Sequence, residues 1–291
     1  MRRLHWSRIH LLHLRFQSQR CLQLPSRSVQ LKPASCHCLL PVLNHVKKSF
    51  DGSGVLKDIS LQVKEGQVVS IIGPSGSGKS TLLRCATLLE KMDAGELIYL
   101  GEKAAWQEEK NGQKRCVYAS KEQLKKIRSC FGLVFQNFNL FPHYSVMKNI
   151  IDAPVNVAHL SKKEATSRAE KLLAQLGLSD KANAYPYQLS GGQSQRVSIA
   201  RALALQPKIL FFDDPTSALD PELTVEVLKV IRQLAAEHMT MIIVTHEMQF
   251  AKEISDQIIF MEQGVIVEQG TPEELFSSEN TRVREFIGKM K

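Results

Sequence analysis

The sequence predicts an α/β fold built on a parallel-rich sheet. Three observations carry that expectation. Short apolar, β-branched or aromatic runs recur at 68–72, 209–212 and 241–244, the pattern of strands buried on both faces. Helical patterns fill the intervals, near Lys79–Leu89, Ser161–Gly177 and Glu222–His238. A glycine-rich loop joins the first run to the first helix. The 291 residues suffice for one large domain or two small ones, and 43% hydrophobic with 23% charged residues is ordinary for a globular chain. The longest apolar stretches span a handful of residues, where a membrane span needs roughly 20.

The elements are justified in order. Residues 1–44 hold Arg2, Arg3, Arg8, Arg15, Arg20, Arg27 and Lys32 with no acid, whereas the other 247 carry 31 basic and 29 acidic side chains. The net charge of +9 is therefore mostly an N-terminal property. The near-neutral body gives no case for nucleic-acid binding. The arm lacks the continuous apolar core of a secretory signal, and Leu4, Trp6, Ile9, Leu11, Leu12, Leu14 and Phe16 do not share one helical face. Its composition fits a transit peptide, but the plainer expectation for residues 1–41 is a disordered leader or a mis-assigned start. Cys36-His37-Cys38 lacks zinc-knuckle spacing and a second pair, so it reads as incidental. Cys85, Cys116 and Cys130 stand singly, as in reduced cytosolic proteins.

Val42–Phe50 and Ile59–Val63 read as strands around a turn at Asp51-Gly52-Ser53-Gly54. The buried strand 68–72 follows, then the loop and its helix. Residues 101–120, rich in Lys, Glu, Gln and Gly, read as a polar excursion. A helix-rich middle covers about 145–205, and Ser161 with Glu164 three residues on predicts a capping box. No internal repeat is visible.

The strongest chemical signal is Gly73-Pro74-Ser75-Gly76-Ser77-Gly78-Lys79-Ser80, with Thr81 behind it, between a strand and a helix. Glycines let the backbone curl so that successive N–H groups face phosphate oxygens, and the helix N-terminus adds its positive end. In such a loop Lys79 reaches the β- and γ-phosphates and Ser80 ligates Mg²⁺. Ile209-Leu210-Phe211-Phe212-Asp213 puts a carboxylate at the tip of a buried strand, where Asp213 completes the Mg²⁺ shell. Both would suit any phosphate-loop ATPase. Leu189-Ser190-Gly191-Gly192-Gln193, opening a helical run at Gln195–Leu205, narrows the choice. It offers a second anion-binding helix start in a chain that already has one, which points to service at another subunit's nucleotide.

From about residue 42 to the C-terminus the sequence resembles the ATP-binding cassette family, whose signature is that Leu-Ser-Gly-Gly-Gln string. The resemblance implies a phosphate-loop NTPase core with a parallel-rich sheet, an antiparallel β subdomain and a helical signature subdomain at about 140–205, within one nucleotide-binding domain at 42–291. It implies that Phe50 stacks on adenine, that Gln136 contacts Mg²⁺ and the attacking water, and that Ser217-Ala218-Leu219-Asp220 meets its copy across a dimer. His246 matches the histidine at the γ-phosphate. ATP is then held between Lys79 of one chain and Ser190, Gly191, Gly192 and Gln193 of the other. Phe135-Gln136-Asn137-Phe138-Asn139-Leu140-Phe141-Pro142-His143 is similar to polar amino-acid importer ATPases of bacteria, as are the polar insertion at 101–120 and Gly270-Thr271-Pro272-Glu273-Glu274. The implied partners are a second copy, integral membrane permeases at the cytoplasmic face of the inner membrane and, indirectly, an extracytoplasmic amino-acid-binding protein.

One position departs from the family pattern. Where the family has Glu after the Mg²⁺ aspartate, this chain has Asp214. Losing a methylene withdraws the carboxylate by roughly 1.5 Å, and about 1 Å of misplacement can cost about 100-fold in rate. Three readings stay open: full activity after a small backbone adjustment, weakened catalysis, or an ATP-binding regulatory cassette. Weakened catalysis is expected, because every other motif is intact. A non-transport ATPase of the superfamily is the other alternative. DNA-repair members insert a long coiled coil, but only about 110 residues without sustained heptads separate Gly78 from Leu189. Ribosome-acting members carry two cassettes in one chain.

Overall fold

The computed structural model describes residues 39–110 and 112–289, which belong to a compact unit spanning His37–Lys291. The reading of an N-terminal leader, and that of Cys36-His37-Cys38, lie outside the described residues, except that Leu39–Pro41 already belong to the first strand. That strand begins three residues before the expected boundary at 42.

Among the described residues, eleven strands form two sheets. In the first, β1 (Leu39–Phe50) and β2 (Ser53–Lys64) make a hairpin, with Phe50 paired to Ser53. β4 (Ala94–Tyr99), β5 (Glu102–Lys110) and β6 (Gln113–Tyr118) complete an antiparallel sheet in the order β2-β1-β4-β5-β6. The second sheet is built around β3 (Val68–Ile72), β7 (Phe131–Val134), β8 (Ile209–Asp213) and β9 (Thr240–Val244), all parallel, with β10 (Gln257–Glu262) parallel to β3 and β11 (Val265–Gly270) antiparallel at its edge. Every residue of β3, β8 and β9 is buried, as their uninterrupted apolar runs require.

The polar stretch 101–120 is a correction: it folds mostly as the β5–β6 hairpin. Its polarity hid it, because the hairpin lies at a sheet edge and sets Glu108 opposite Arg115 and Glu109 opposite Lys114. Opposed charges stabilise neighbouring strands without hydrophobic alternation. Ala104 and Ala105 of β5 are fully buried.

The helices are α1 (Lys79–Ala86), α2 (Lys121–Arg128), α3 (Val146–Asn156), α4 (Lys162–Gln175), α5 (Gly191–Leu203), α6 (Pro221–Ala236), α7 (Met248–Ile254), α8 (Pro272–Phe276) and α9 (Thr281–Lys289). None is long and apolar enough to cross a membrane among the described residues. Ser161 caps α4 by accepting the Glu164 N–H at 3.2 Å, but the reciprocal half of the expected box is replaced, since the Glu164 carboxylate lies 3.5 Å from Arg168. Helices α3, α4 and α5 share a core of Val146, Ile150, Leu173, Val197 and their neighbours. That core is separate from the one that packs the first sheet onto α1, so the helical middle is a distinct packing unit.

Candidate nucleotide site

The loop between β3 and α1 is shaped by Gly73 and Gly78, where a side chain would collide with neighbouring backbone. Gly73 has φ +146°, and a Cβ there would lie 2.0 Å from the Met261 carbonyl oxygen. Gly78, at φ +99°, would meet the Val55 carbonyl and the Leu56 side chain, both at 2.9 Å. Gly76 also has positive φ, +78°, but open space around it. The two positions separate steric clash from backbone strain. Gly73→Ala is expected to destabilise the fold by about 3 kcal/mol or more, since backbone atoms must move. Gly76→Ala should cost only the left-handed penalty, about 1–2 kcal/mol. Urea unfolding of the two variants checks the ranking.

Lys79 opens α1, and its ammonium donates to the carbonyls of Gly73 and Pro74, each at 2.8 Å, and to Ser77 Oγ at 3.4 Å. Burial lowers its pKa, and the nearby Asp214 and Asp213 only partly offset that. The Ser80 hydroxyl donates to Asp213 Oδ1 at 2.7 Å, and Asp213, ending β8, is 6% exposed. Pairing of β8 with β9 sets Asp213 opposite Val244, and the Asp214 N–H continues the ladder to the Val244 carbonyl at 3.0 Å. This register brings His246, two residues past β9, to Asp214: Nδ1 lies 2.8 Å from Oδ1. Asp214 has φ +49°, a conformation that Asp tolerates better than most residues. Gln136, exposed in the loop after β7, joins Ser75, Lys79, Ser80, Asp214 and Val244 around a cleft of about 480 Å³.

The His246 ring sits between two acids. Its hydrogen bond to Asp214 raises its pKa, burial opposes this, and Glu247, 3.4 Å from Nε2, adds to the rise. A pKa raised on folding contributes stability that is present below the unfolded value of about 6.5 and is lost as pH climbs through the folded value. His246→Gln should therefore lower the urea midpoint more at pH 6 than at pH 9. An equal loss at both would show that the pair carries no charge-dependent stability.

Ser190–Gln193 lie elsewhere, outside the set of residues lining this cleft. Ser190 is the N-cap of α5: its Oγ accepts the Gln193 N–H at 3.2 Å, and Gln193 Oε1 accepts the Ser190 N–H at 3.0 Å. The two glycines also serve packing. A Cβ on Gly191 would meet Leu219 at 2.8 Å, and one on Gly192 would meet Leu223 at 3.3 Å. The helix start thus presses against the segment that leads into α6.

A family model described as ABC transporter matches residues 56–217. The chain is 54% identical over 248 residues to a probable amino-acid ABC transporter ATP-binding protein of Sinorhizobium fredii, covering 84% of this chain and 95% of that protein. It is 53% identical over 251 residues to the L-cystine transport system ATP-binding protein of Escherichia coli, covering 86% and 97%. The chain belongs to the ATP-binding cassette transporter family. A dimeric structure of the ATP-binding cassette MJ0796, in a post-hydrolysis state bound to ADP and phosphate, superposes with a TM-score of 0.67 at 33% identity, over 80% of this chain and 99% of that one.

Within this cassette, several residues support the cleft without having been legible as site residues. Gln195, fully buried in α5, donates from Nε2 to the Phe135 carbonyl at 3.2 Å, one residue before Gln136. Arg201 donates to the carbonyls of Asn139 at 2.7 Å and Phe138 at 3.2 Å, both residues with left-handed φ. Asn149, 1% exposed, accepts the Phe141 N–H and donates to the carbonyls of Phe141, Tyr144 and Ser145. The loop carrying Gln136 is therefore fixed by side chains from α3 and α5. A Gln two places past a signature and a lone helical Arg carry no local sequence mark for this task.

Phe50 does not line the cleft. It stands 42% exposed at the end of β1, on the hairpin whose second strand, through Val55 and Leu56, touches Gly78. The Ser217 hydroxyl donates to the Asp214 carbonyl at 3.1 Å, and Ser217, Ala218 and Asp220 are exposed. Phe141, 45% exposed, packs against His143 and Tyr144 rather than entering a core.

Proposed function

We propose that this chain is the ATP-hydrolysing subunit of an importer, working as a homodimer beneath two membrane permeases to drive uptake of a polar amino acid. The observation that carries this reading is the division of one nucleotide's ligands between two faces of the chain. Lys79, Ser80, Asp214 and Gln136 line one cleft, with Asp213 bonded to Ser80 and His246 to Asp214 behind them, while the helix start at Ser190–Gln193 does not line it. A second copy supplies the missing side. The relatives' naming as amino-acid transport ATP-binding proteins supports the cargo class.

The donor set fits Mg²⁺. Ser80 Oγ and an Asp213 oxygen are hard oxygen ligands already 2.7 Å apart. Among the described residues no group of three or more His, Cys, Asp or Glu could hold a metal ion. Such a cation takes its other ligands from phosphates and water, the usual manner of Mg²⁺ at nucleotide sites. The ion, when bound, neutralises charge on the phosphates. The chain's own groups do the rest. Loop N–H groups and Lys79 hold the β- and γ-phosphates, Gln136 orients the attacking water, Asp214 accepts its proton, and His246 fixes the Asp214 carboxylate. Phe50 stacks on the base. Opening and closing of the dimer is transmitted to the permeases through the exposed Phe141–Tyr144 aromatics, at the cytoplasmic face of the inner membrane. An extracytoplasmic binding protein delivers the amino acid to the other side.

The test is Ser190→Arg, which places a long cation where the second copy must approach. ATP-driven dimerisation, followed by sedimentation, should disappear, while ATP binding by the monomer stays within about threefold of the natural chain. A variant that still dimerises on ATP addition would remove the shared site.

A further inference from the structure

We propose that Lys48 is a positioning residue for purine binding: anchored by Glu90 and Asp93, its ammonium covers one face of the Phe50 ring, so that the ring presents its other face to the base. This rests on the reading of Phe50 as the adenine platform and adds the device that orients it.

Lysine is almost never this buried unless paired, yet Lys48 is only 8% exposed. Its Nζ lies 3.0 Å from Glu90 Oε1 and 3.4 Å from Asp93 Oδ1. Both acids sit on the segment that leaves α1, the helix begun by Lys79. Asp93 doubles the tie through the backbone: its Oδ2 accepts the Ser49 N–H at 2.6 Å, and its own N–H donates to the Lys47 carbonyl at 2.9 Å. The end of β1 is thus stitched to the segment that follows the phosphate-loop helix on both sides of Lys48.

From that fixed point the ammonium reaches 4.8 Å from the Phe50 ring centroid, inside the range of a cation–π contact. Positions 48 and 50 share one face of the strand, which makes the contact geometrically natural. An exposed phenyl ring on a strand end has little to hold its χ angles. Here a charge held by two carboxylates supplies the restraint. It also draws on the ring's electron density, which favours stacking against an electron-rich purine. A purely structural lysine would serve the strand and leave the base indifferent to it.

The experiment compares calorimetric affinities of the full chain for Mg-ATP and for inorganic tripolyphosphate with Mg²⁺, which lacks a base. Lys48→Met should weaken Mg-ATP binding about three- to tenfold, leave tripolyphosphate affinity unchanged, and leave kcat at saturating ATP unchanged. Lys48→Arg, which keeps a cation over the ring, should recover most of the loss. In a Phe50→Ala background, Lys48→Met should add nothing further. Glu90→Gln loosens the same anchor from a more exposed site and should give a smaller loss confined to ATP, so the proposal is testable even if Lys48→Met folds poorly. Equal losses for both ligands, an additive effect with Phe50→Ala, or no loss from either anchor variant would overturn it. Unchanged ATP affinity in Phe50→Ala alone would instead remove the Phe50 platform itself.

Discussion

Lys79→Ala should lower the affinity for Mg-ATP by on the order of 100-fold and abolish measurable hydrolysis. The Lys79 ammonium lies within the loop, 2.8 Å from two carbonyls and close to Asp213 and Asp214. On binding, those carbonyl contacts exchange for phosphate oxygens at short range. Removing one partner of such a hydrogen-bonded charge pair costs about 2–5 kcal/mol. At 1.4 kcal/mol per tenfold, that is tens to thousands of fold in affinity. The loop's shape should survive, because it is set by Gly73 and Gly78 against Met261 and Val55, not by the lysine. Calorimetric titration with Mg-ATP checks this, and an affinity within threefold of the natural chain would remove the loop assignment.

Asp214→Asn should reduce steady-state hydrolysis by about 100- to 10,000-fold, the usual contribution of a positioned general base. Asp214→Glu should instead raise it. The position is unusual in both reach and backbone. Asp214 is one methylene shorter than the family's Glu, and its carboxylate is held by His246 at 2.8 Å. Its φ of +49° is a conformation that favours Asp over Glu. The gain from a longer side chain is therefore expected to be limited, about tenfold, with a small loss of stability beside it. If the natural chain is as slow as Asp214→Asn and only Asp214→Glu is active, the cassette is an ATP-binding regulator, and hydrolysis belongs to another subunit.

Legibility followed burial. The strand before the phosphate loop was readable to the residue, because β3 is covered on both faces and must be apolar throughout. The β8 and β9 runs were readable within a residue for the same reason. The β5–β6 hairpin was not, since its stability comes from backbone pairing and opposed charges at an edge, which leave no hydrophobic period. The sequence places the Leu189–Gln193 string before a helical run at Gln195–Leu205, whereas α5 already begins at Gly191, and the need for glycine at 191 and 192 is not visible in it. Their closeness to Leu219 and Leu223 is a tertiary fact. In the site, the phosphate-loop residues and Asp213 declare themselves by motif, whereas Phe50, Gln136 and His246 follow from the family resemblance. Gln195, Arg201 and Asn149 do neither, because each acts through backbone groups of a loop 4 to 63 positions away in sequence, contacts made only in the folded chain.

The shared site is tested most directly by mixing two inactive chains. Lys79→Ala lacks the phosphate lysine but keeps its signature, whereas Ser190→Arg keeps the lysine but blocks its own signature, and in a mixed dimer that single arginine faces only the site already emptied by Lys79→Ala. A mixed dimer has one site with both partners intact, Lys79 from one chain and Ser190–Gln193 from the other. In an equal mixture that pairs at random, half of the dimers are mixed and each has one intact site of two, so the mixture should hydrolyse ATP at up to about a quarter of the natural rate, well above either component alone. A mixture no more active than its two components would contradict a nucleotide held between two copies.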